Sequence, residues 1–323
     1  MSKYTSIGGQ ALIEGILMKS PEKTALAVRT PEKTIDITYL EQKSLKDKYK
    51  ILGLPVIRGV VGFAESMIQG YKAMMLSADK SGFADLEEEG EEKKDNSALL
   101  NIVMVIGTVL GVALAVVLFM FLPRLFVGGL EFLFKTEFPK LLRSGIEQAL
   151  KLSVFVLYVW LVSFMGDIKR VFMYHGAEHK TIFCYEKGLE LTTENIKKQS
   201  RFHPRCGTSF MILMILVSVI LSTIVQMIFP EVYSIYWLWV VIKILLVPLT
   251  CGVGYEVLKI CGRYDNVITR IISAPGLWLQ RITTKEPTED MIEIAVAALK
   301  ACEPSIPDVD RSIDLEGNND DNF

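Results

Sequence analysis

The chain has 323 residues, 50% of them hydrophobic and 22% charged, with a formal net charge of -2 and a mean hydropathy of +0.34. The positive hydropathy sets it outside the ordinary soluble class, and the near-neutral charge leaves no basic footprint for nucleic acid. Five cysteines, an odd number falling mostly in cytoplasmic or membrane parts, argue against a disulfide framework and leave reduced thiols available as ligands.

Met1 to Gln10 is polar and has no apolar core region, so no cleaved signal peptide is visible and the first span is expected to direct insertion. Gly8-Gly9-Gln10, followed by Glu14-Gly15, reads either as a tight loop presenting a carboxylate and an amide or as a turn entering the first strand; it lacks the spacing of a phosphate-binding loop. Ala25 to Arg29 and Ile35 to Tyr39, rich in β-branched residues around a Pro-Glu-Lys turn, predict a hairpin. Two strands are marginal alone, so they must pack on something, and the best candidate is a helix from about Pro55 to Ala78. In that helix Arg58, Glu65 and Lys72 recur every seven residues and leave one polar stripe on an apolar cylinder, while Gly59, Gly62 and Gly70 permit close approach by another helix. Residues 1–78 therefore read as a small cytoplasmic α+β unit. Residues 79–96, with Asp85, Glu87, Glu88, Glu89, Glu91 and Glu92, read as a solvated acidic linker.

Ser97 to Pro123 carries no charged side chain and exceeds the roughly 20 residues that a helix needs to cross the hydrocarbon core. Spans are expected at about 98–122, 146–165, 208–229 and 236–258 within a membrane domain of residues 97–258. Gln226 is the strongly polar residue of the third span. Lys243 in the fourth follows Tyr233, Tyr236, Trp237 and Trp239, an aromatic belt that places it about one turn deep, within snorkelling reach of the surface. The segment between spans two and three, residues 166–207, holds Lys169, Arg170, Lys180, Lys187, Lys197, Lys198, Arg201 and Arg205; the next connection has no Lys or Arg. Arg124, Lys135, Lys140 and Arg143 weigh the other way in the first connection, but the balance puts both termini and residues 166–207 in the cytoplasm of a multi-pass protein of the cell membrane. Residues 259–302 are expected to form cytoplasmic helices, the last capped by Thr288 with Glu289 and Asp290 in its first turn and Ile292, Val296 and Leu299 on its apolar face. Residues 303–323 read as a disordered acidic tail. The expected fold class is thus mainly α: a polytopic membrane protein with about four transmembrane helices plus a small cytoplasmic α+β N-terminal unit.

All three histidines lie in residues 166–207. His175-Gly-Ala-Glu178-His179 has the order H-x-x-E-H, and positions i, i+3 and i+4 share one face of a helix, so both imidazoles and the carboxylate can address one ion. Two neutral imidazoles suit zinc, and Glu178 is the candidate catalytic residue, taking a proton from water at the ion. His203-Pro-Arg-Cys206 adds the remaining histidine and a thiol; Pro204 biases His203 to an extended conformation. If His175, His179, His203 and Cys206 all bind, the tetrahedron is closed and structural; if three bind, a position stays open for chemistry. The opposing reading leaves the histidines solvated and Cys206 a buried apolar residue at the foot of the third span. Glu256 either reaches the cluster as a ligand or supporting group or snorkels into solvent, and Cys184 falls on another helix face.

With Gly8-Gly-Gln-Ala-Leu-Ile-Glu-Gly15, Tyr174-His-Gly-Ala-Glu-His-Lys-Thr181 and His203-Pro-Arg-Cys-Gly-Thr-Ser-Phe210, the chain resembles the YqhQ-like bacterial membrane proteins. That family is described as domain of unknown function 1385 and labelled a predicted metal-dependent enzyme. Gly254-Tyr-Glu256, Pro275-Gly-Leu277 and Thr283-Thr-Lys-Glu-Pro287 look like further family landmarks. The leading expectation is a zinc-dependent hydrolase acting on a membrane-associated substrate, such as a peptide bond, at the cytoplasmic surface. The alternative is a non-enzymatic, metal-stabilised scaffold or assembly factor for other membrane proteins, motivated by the glycine-bearing helix at residues 55–78. Transport ranks last, because the spans offer only Lys243 and Gln226 and no internal repeat stands out. The expected partners are the lipid bilayer and other membrane proteins, without nucleic acid.

Overall fold

A computed structural model describes residues 7–42, 44–83, 97–204, 206–264, 266–303 and 312–313. Residues 84–96 of the expected acidic linker, Arg205, and the expected tail apart from Glu303, Ser312 and Ile313 lie outside the described residues. The chain divides into two compact units, one of Met1–Glu88, Ser163–Met214 and Cys251–Phe323, the other of Glu89–Val162 and Ile215–Thr250.

The first unit is built on an antiparallel sheet in chain order: β1 (Gly8–Leu12), β2 (Gly15–Lys19), β3 (Thr24–Arg29), β4 (Ile35–Leu40) and a two-residue β5 (Ser312–Ile313) against Ile35 and Asp36. The β3/β4 hairpin is the one the sequence predicts, while β1 and β2 are strands it does not announce. Gly15–Lys19 shows no polar alternation because both faces of β2 are covered, so its inward and outward positions are equally apolar. Ile16, Met18, Ala25, Ala27, Ile35 and Ile37 point to one face, where they pack with Tyr174, Ala177, Ile182, Met291, Ile292, Ala295 and Leu299. Leu12, Leu17, Leu26 and Val28 point to the other, against Ala73.

Ala73 belongs to α2 (Ile57–Lys80), the helix expected to support the hairpin; a single turn, α1 (Leu45–Lys48), precedes it. The helices on the opposite face are α6 (Gly166–Glu186) and α12 (Glu289–Cys302). Thr288 holds the N-cap position of α12 without a side-chain capping bond, and the helix is a central element of the core rather than a terminal appendage. The N-terminal end of α2 meets α10 (Tyr236–Arg263): a Cβ on Gly59 would lie 3.0 Å from Gly252 Cα, and a Cβ on Gly252 would lie 2.4 Å from Val56 Cγ1. Arg58 makes a two-pronged ion pair with Glu256 at 2.7 and 2.5 Å. Glu256 is thereby committed to α2; it neither snorkels alone nor reaches the histidines.

The second unit contains α3 (Ser97–Val116), a π turn over Val117–Phe121, α4 (Leu122–Phe134) and α5 (Lys140–Val162), with the adjoining stretches of α8 (Gly207–Ile228) and α10 and the short α9 (Pro230–Ser234). Among the described residues, four helical stretches are long and apolar enough to cross a membrane: Val109–Phe134, Lys140–Val162, Gly207–Ile228 and Trp237–Cys261. Their large apolar side chains, among them Leu110, Leu114, Leu161, Ile220 and Leu245, are exposed, as contact with lipid requires. The first helix does not stop near Pro123. The π turn falls immediately before the proline, whose ring would otherwise clash with the carbonyl four residues back, and the helix runs on to Phe134. Arg124, expected in a connection, is consequently inside a helix. Gln226 donates to the Lys140 carbonyl at 3.2 Å, and Lys243 lies over the Trp239 ring, 5.1 Å from its centroid.

Candidate metal centre

Three elements of the first unit converge on the histidines. The helix α6 presents His175, Glu178 and His179 on one face; it opens with Asp167 in its first turn and ends at Gly188, whose φ of +67° gives the left-handed cap that glycine tolerates. The segment after α7 (Thr193–Lys197) carries Arg201, His203 and Cys206, the last directly before α8. The helix α11 (Val267–Thr283) and the strand-like residues after it close the site.

The Nδ1 of His175 donates to the Thr283 carbonyl at 2.9 Å, and the Nδ1 of His179 donates to the Arg201 carbonyl at 2.5 Å. A carbonyl only accepts, so these bonds fix the tautomer of each neutral ring and leave each Nε2 as a lone pair. Both lone pairs face Cys206, whose Sγ lies 3.1 Å from His175 Nε2 and also bonds His179. The ligand atoms of His175, His179 and Cys206 all lie within 4.8 Å of one another. Three electron-pair donors thus share the single thiol proton, an arrangement that one cation satisfies completely.

The surroundings prepare those donors. Burial holds His179 below its ordinary value and so keeps it neutral. Burial pushes the Cys206 thiol up, but its interactions with His179 and its hydrogen bonds with Thr208 outweigh that and bring the thiol below its usual range. The Thr208 N–H donates to Sγ at 3.4 Å from the first turn of α8, where the helix dipole also favours a thiolate.

Glu178 is buried, and its Oε2 has no hydrogen-bond partner. The Gly9 N–H donates to its carboxylate, and a Cβ on Gly9 would lie 2.9 Å from Glu178 Cδ and 3.0 Å from Oε1. The paired glycines of the N-terminal motif therefore begin a strand, and Gly9 also leaves room for this carboxylate. Glu14, the motif's other polar residue, sits in the β1/β2 turn at φ +49° and binds Arg170 and Tyr174 rather than the site. Burial, with a smaller push from Cys206, raises Glu178 to about 7 against the pull of His175. A carboxyl raised in the folded state adds stability that is full below its unfolded value near 4.5 and lost as pH rises through about 7. Glu178→Gln, which keeps the acceptor for Gly9, should therefore raise the melting temperature of chelator-treated protein at pH 8 on the order of 5 °C and leave it nearly unchanged at pH 4. Thermal melts of both proteins at the two pH values check this; an equal shift at both would assign the effect to packing.

His203, the fourth sequence-predicted ligand, falls outside the group whose ligand atoms lie within 4.8 Å of one another, although its ring centroid is 5.5 Å from that of His179. Its ring packs on Phe183, 4.7 Å between centroids, and its Nε2 lies 3.9 Å from Glu186 Oε2. Gln280 of α11 holds its backbone on both sides, accepting from the His203 N–H and donating to its carbonyl, each at 2.7 Å, and donates to Ser209 at 3.0 Å. Sequence reasoning gave Gln280, Thr283, Arg201 and Thr208 no role in the site. Cys184 donates to the Glu190 carbonyl at 3.4 Å and takes no part. Lys180, 5% exposed, is held by the Lys197 carbonyl and Glu286 at 2.9 and 2.7 Å.

The molecule is thus a mainly helical protein with, among the described residues, four stretches able to cross a membrane and a small α+β unit that carries a two-histidine, one-cysteine group in which His179 and Cys206 are buried. The chain belongs to the DUF1385 family of proteins of unknown function, whose family model matches residues 54–305. It is 32% identical over 303 residues, 92% of each chain, to the uncharacterized protein YqhQ of Bacillus subtilis (strain 168). No solved structure matches the chain. The family resemblance read from the motifs is borne out, and the relative's name assigns it no activity.

Proposed function

We propose that this protein is a membrane-bound, zinc-dependent hydrolase whose site faces the cytoplasm, with His175, His179 and Cys206 as ligands and Glu178 as general base. The observation that supports it best is the convergence of two oriented imidazole lone pairs and a lowered thiol, with one proton among them, beside a carboxylate whose Oε2 lacks a partner. Nitrogen and sulfur donors suit zinc, and three protein ligands leave a coordination position open. When bound, zinc would supply Lewis-acid polarisation of a substrate carbonyl. The chain's own residues do the rest. Glu178, buried and titrating near neutrality, takes the proton of an attacking water and returns it to the leaving amine of a cleaved peptide bond. Gly9 fixes the orientation of the carboxylate, and the Thr283 and Arg201 carbonyls hold the two rings. The basic residues of 166–207, Lys169, Arg170, Lys187, Lys197 and Lys198 among them, support the cytoplasmic placement.

Replacing Glu178 with Gln should reduce turnover by at least ~100-fold, the scale of a general base, while zinc content stays at the wild-type level. Metal analysis beside a membrane-proteolysis or complementation assay reads both, and full activity in the variant would remove Glu178 from the chemistry. The scaffold reading keeps one observation: Met67, Ile68, Tyr71 and Met75 on α2 are exposed and suit a partner's apolar surface. Its glycine argument weakens, since Gly59 is already used against α10 of the same chain. A scaffold should tolerate Glu178→Gln in every functional assay.

A further inference from the structure

The helix α11 has two unlike faces. Thr269, Gly276, Leu279, Gln280 and Thr283 are buried, and from this side Gln280 pins His203 and Thr283 orients His175. On the opposite side Val267, Ile268, Ile271 and Trp278 are 72, 68, 67 and 51% exposed, with Ala274 and Pro275 continuing the stripe. At helical spacing these residues form one apolar band three turns long, and Arg270 and Arg281 lie along one edge of it. Such a band is unstable in water and calls for an occupant.

Chain connection identifies that occupant. The candidate span Trp237–Cys261 ends two residues before the last residue of α10, Arg263, and α11 begins at Val267. Three residues span at most about 10 Å, so α11 starts close to the end of α10 and of its candidate span. With 17 residues it is short of the roughly 20 needed to cross again. Asn266 caps its N-terminus with a capping box, which ends α10 and sets α11 off as a separate helix. A tryptophan within an apolar band edged by arginines is the composition of a helix lying in a lipid interface, with the aromatic ring at headgroup depth and the guanidinium groups reaching phosphate.

We propose that α11 lies in the plane of the bilayer surface, with Val267, Ile268, Ile271 and Trp278 sunk into the boundary between headgroups and acyl chains. Its other face then mounts the His175/His179/Cys206 group about one helix diameter, roughly 10 Å, above that boundary. The partner is the lipid surface itself, and a substrate reaching the site is a segment that emerges from the bilayer close to α11. The placement rests on α10 crossing the membrane and does not depend on a bound metal.

Site-directed spin labelling of the full chain in phosphatidylcholine/phosphatidylglycerol vesicles tests it. In a Cys261→Ser background, whose other cysteines are buried, single labels would go on Ile271→Cys and Trp278→Cys, with Leu245→Cys in the span and Glu293→Cys on α12 as references. Collision with oxygen should exceed collision with a water-soluble nickel chelate several-fold at 271 and 278, less strongly than at 245 and opposite to 293. Nickel-dominated collision at 271 and 278 with 245 still lipid-exposed would overturn the placement of α11 alone. Nickel access at 245 would overturn the span on which it rests. Dipolar broadening between labels at 271 or 278 would assign the band to a second copy of the chain and overturn the proposal.

Discussion

Replacing either His175 or Cys206 with alanine should empty the metal centre of purified protein, whereas His203→Ala should retain the metal. The structure separates these outcomes. His175, His179 and Cys206 bring their ligand atoms within 4.8 Å of one another, and His203 instead faces Glu186. Loss of a ligand costs more than the about 10- to 100-fold in affinity expected for a residue that merely supports one. Alanine at 203 removes the ring but leaves the two backbone bonds to Gln280 that position the following Cys206. Zinc at about 1,000 times its dissociation constant stabilises a folded protein by ~4 kcal/mol, so wild-type and His203→Ala melting temperatures should rise with added zinc while those of His175→Ala and Cys206→Ala should not. Zinc content by atomic emission and zinc-dependent melts decide it. If His203→Ala loses the ion as completely as Cys206→Ala, the loop turns on binding and the centre is a closed, four-ligand one.

The contrast among these residues shows what the sequence can carry. H-x-x-E-H is a local pattern, and the 3.6-residue period alone puts His175, Glu178 and His179 on one face of α6. Cys206 was legible as a nearby thiol. His203 was assigned with it because the two are neighbours in sequence, and the residue that holds the His203 backbone is Gln280, 77 residues away. The groups that orient the imidazoles, the carbonyls of Arg201 and Thr283, are backbone and have no residue type to read. Gly9 was read as a turn residue, although the lack of a side chain matters against Glu178, a contact no local rule contains. Local rules also failed at Pro123, where a π turn carries the helix past a residue that ordinarily ends one. The β3/β4 hairpin was visible from its turn, while β2, apolar on both faces, carried no strand period.

Gly176→Ala should be among the most damaging small substitutions in the chain. At an exposed helical site this change normally stabilises by about 1 kcal/mol, because alanine is the better helix former. Here the added Cβ would lie 2.0 Å from the Lys285 carbonyl oxygen, and that oxygen is backbone, fixed by the Lys285 N–H bond to the Phe172 carbonyl at 2.8 Å. Overpacking of a rigid neighbour costs typically 1–3 kcal/mol and more when backbone must move, so the clash outweighs the propensity gain. The displaced segment begins at Thr283, whose carbonyl holds His175, and includes Glu286, the partner of buried Lys180. The expected result is a lower melting temperature together with weakened metal binding. Gly188→Ala serves as a comparison: a Cβ there meets nothing, and its φ of +67° makes the cost purely local. Both variants should lose stability, but only Gly176→Ala should also lose zinc affinity. Equal affinity in the two would show that the 283–287 segment does not orient the ligand.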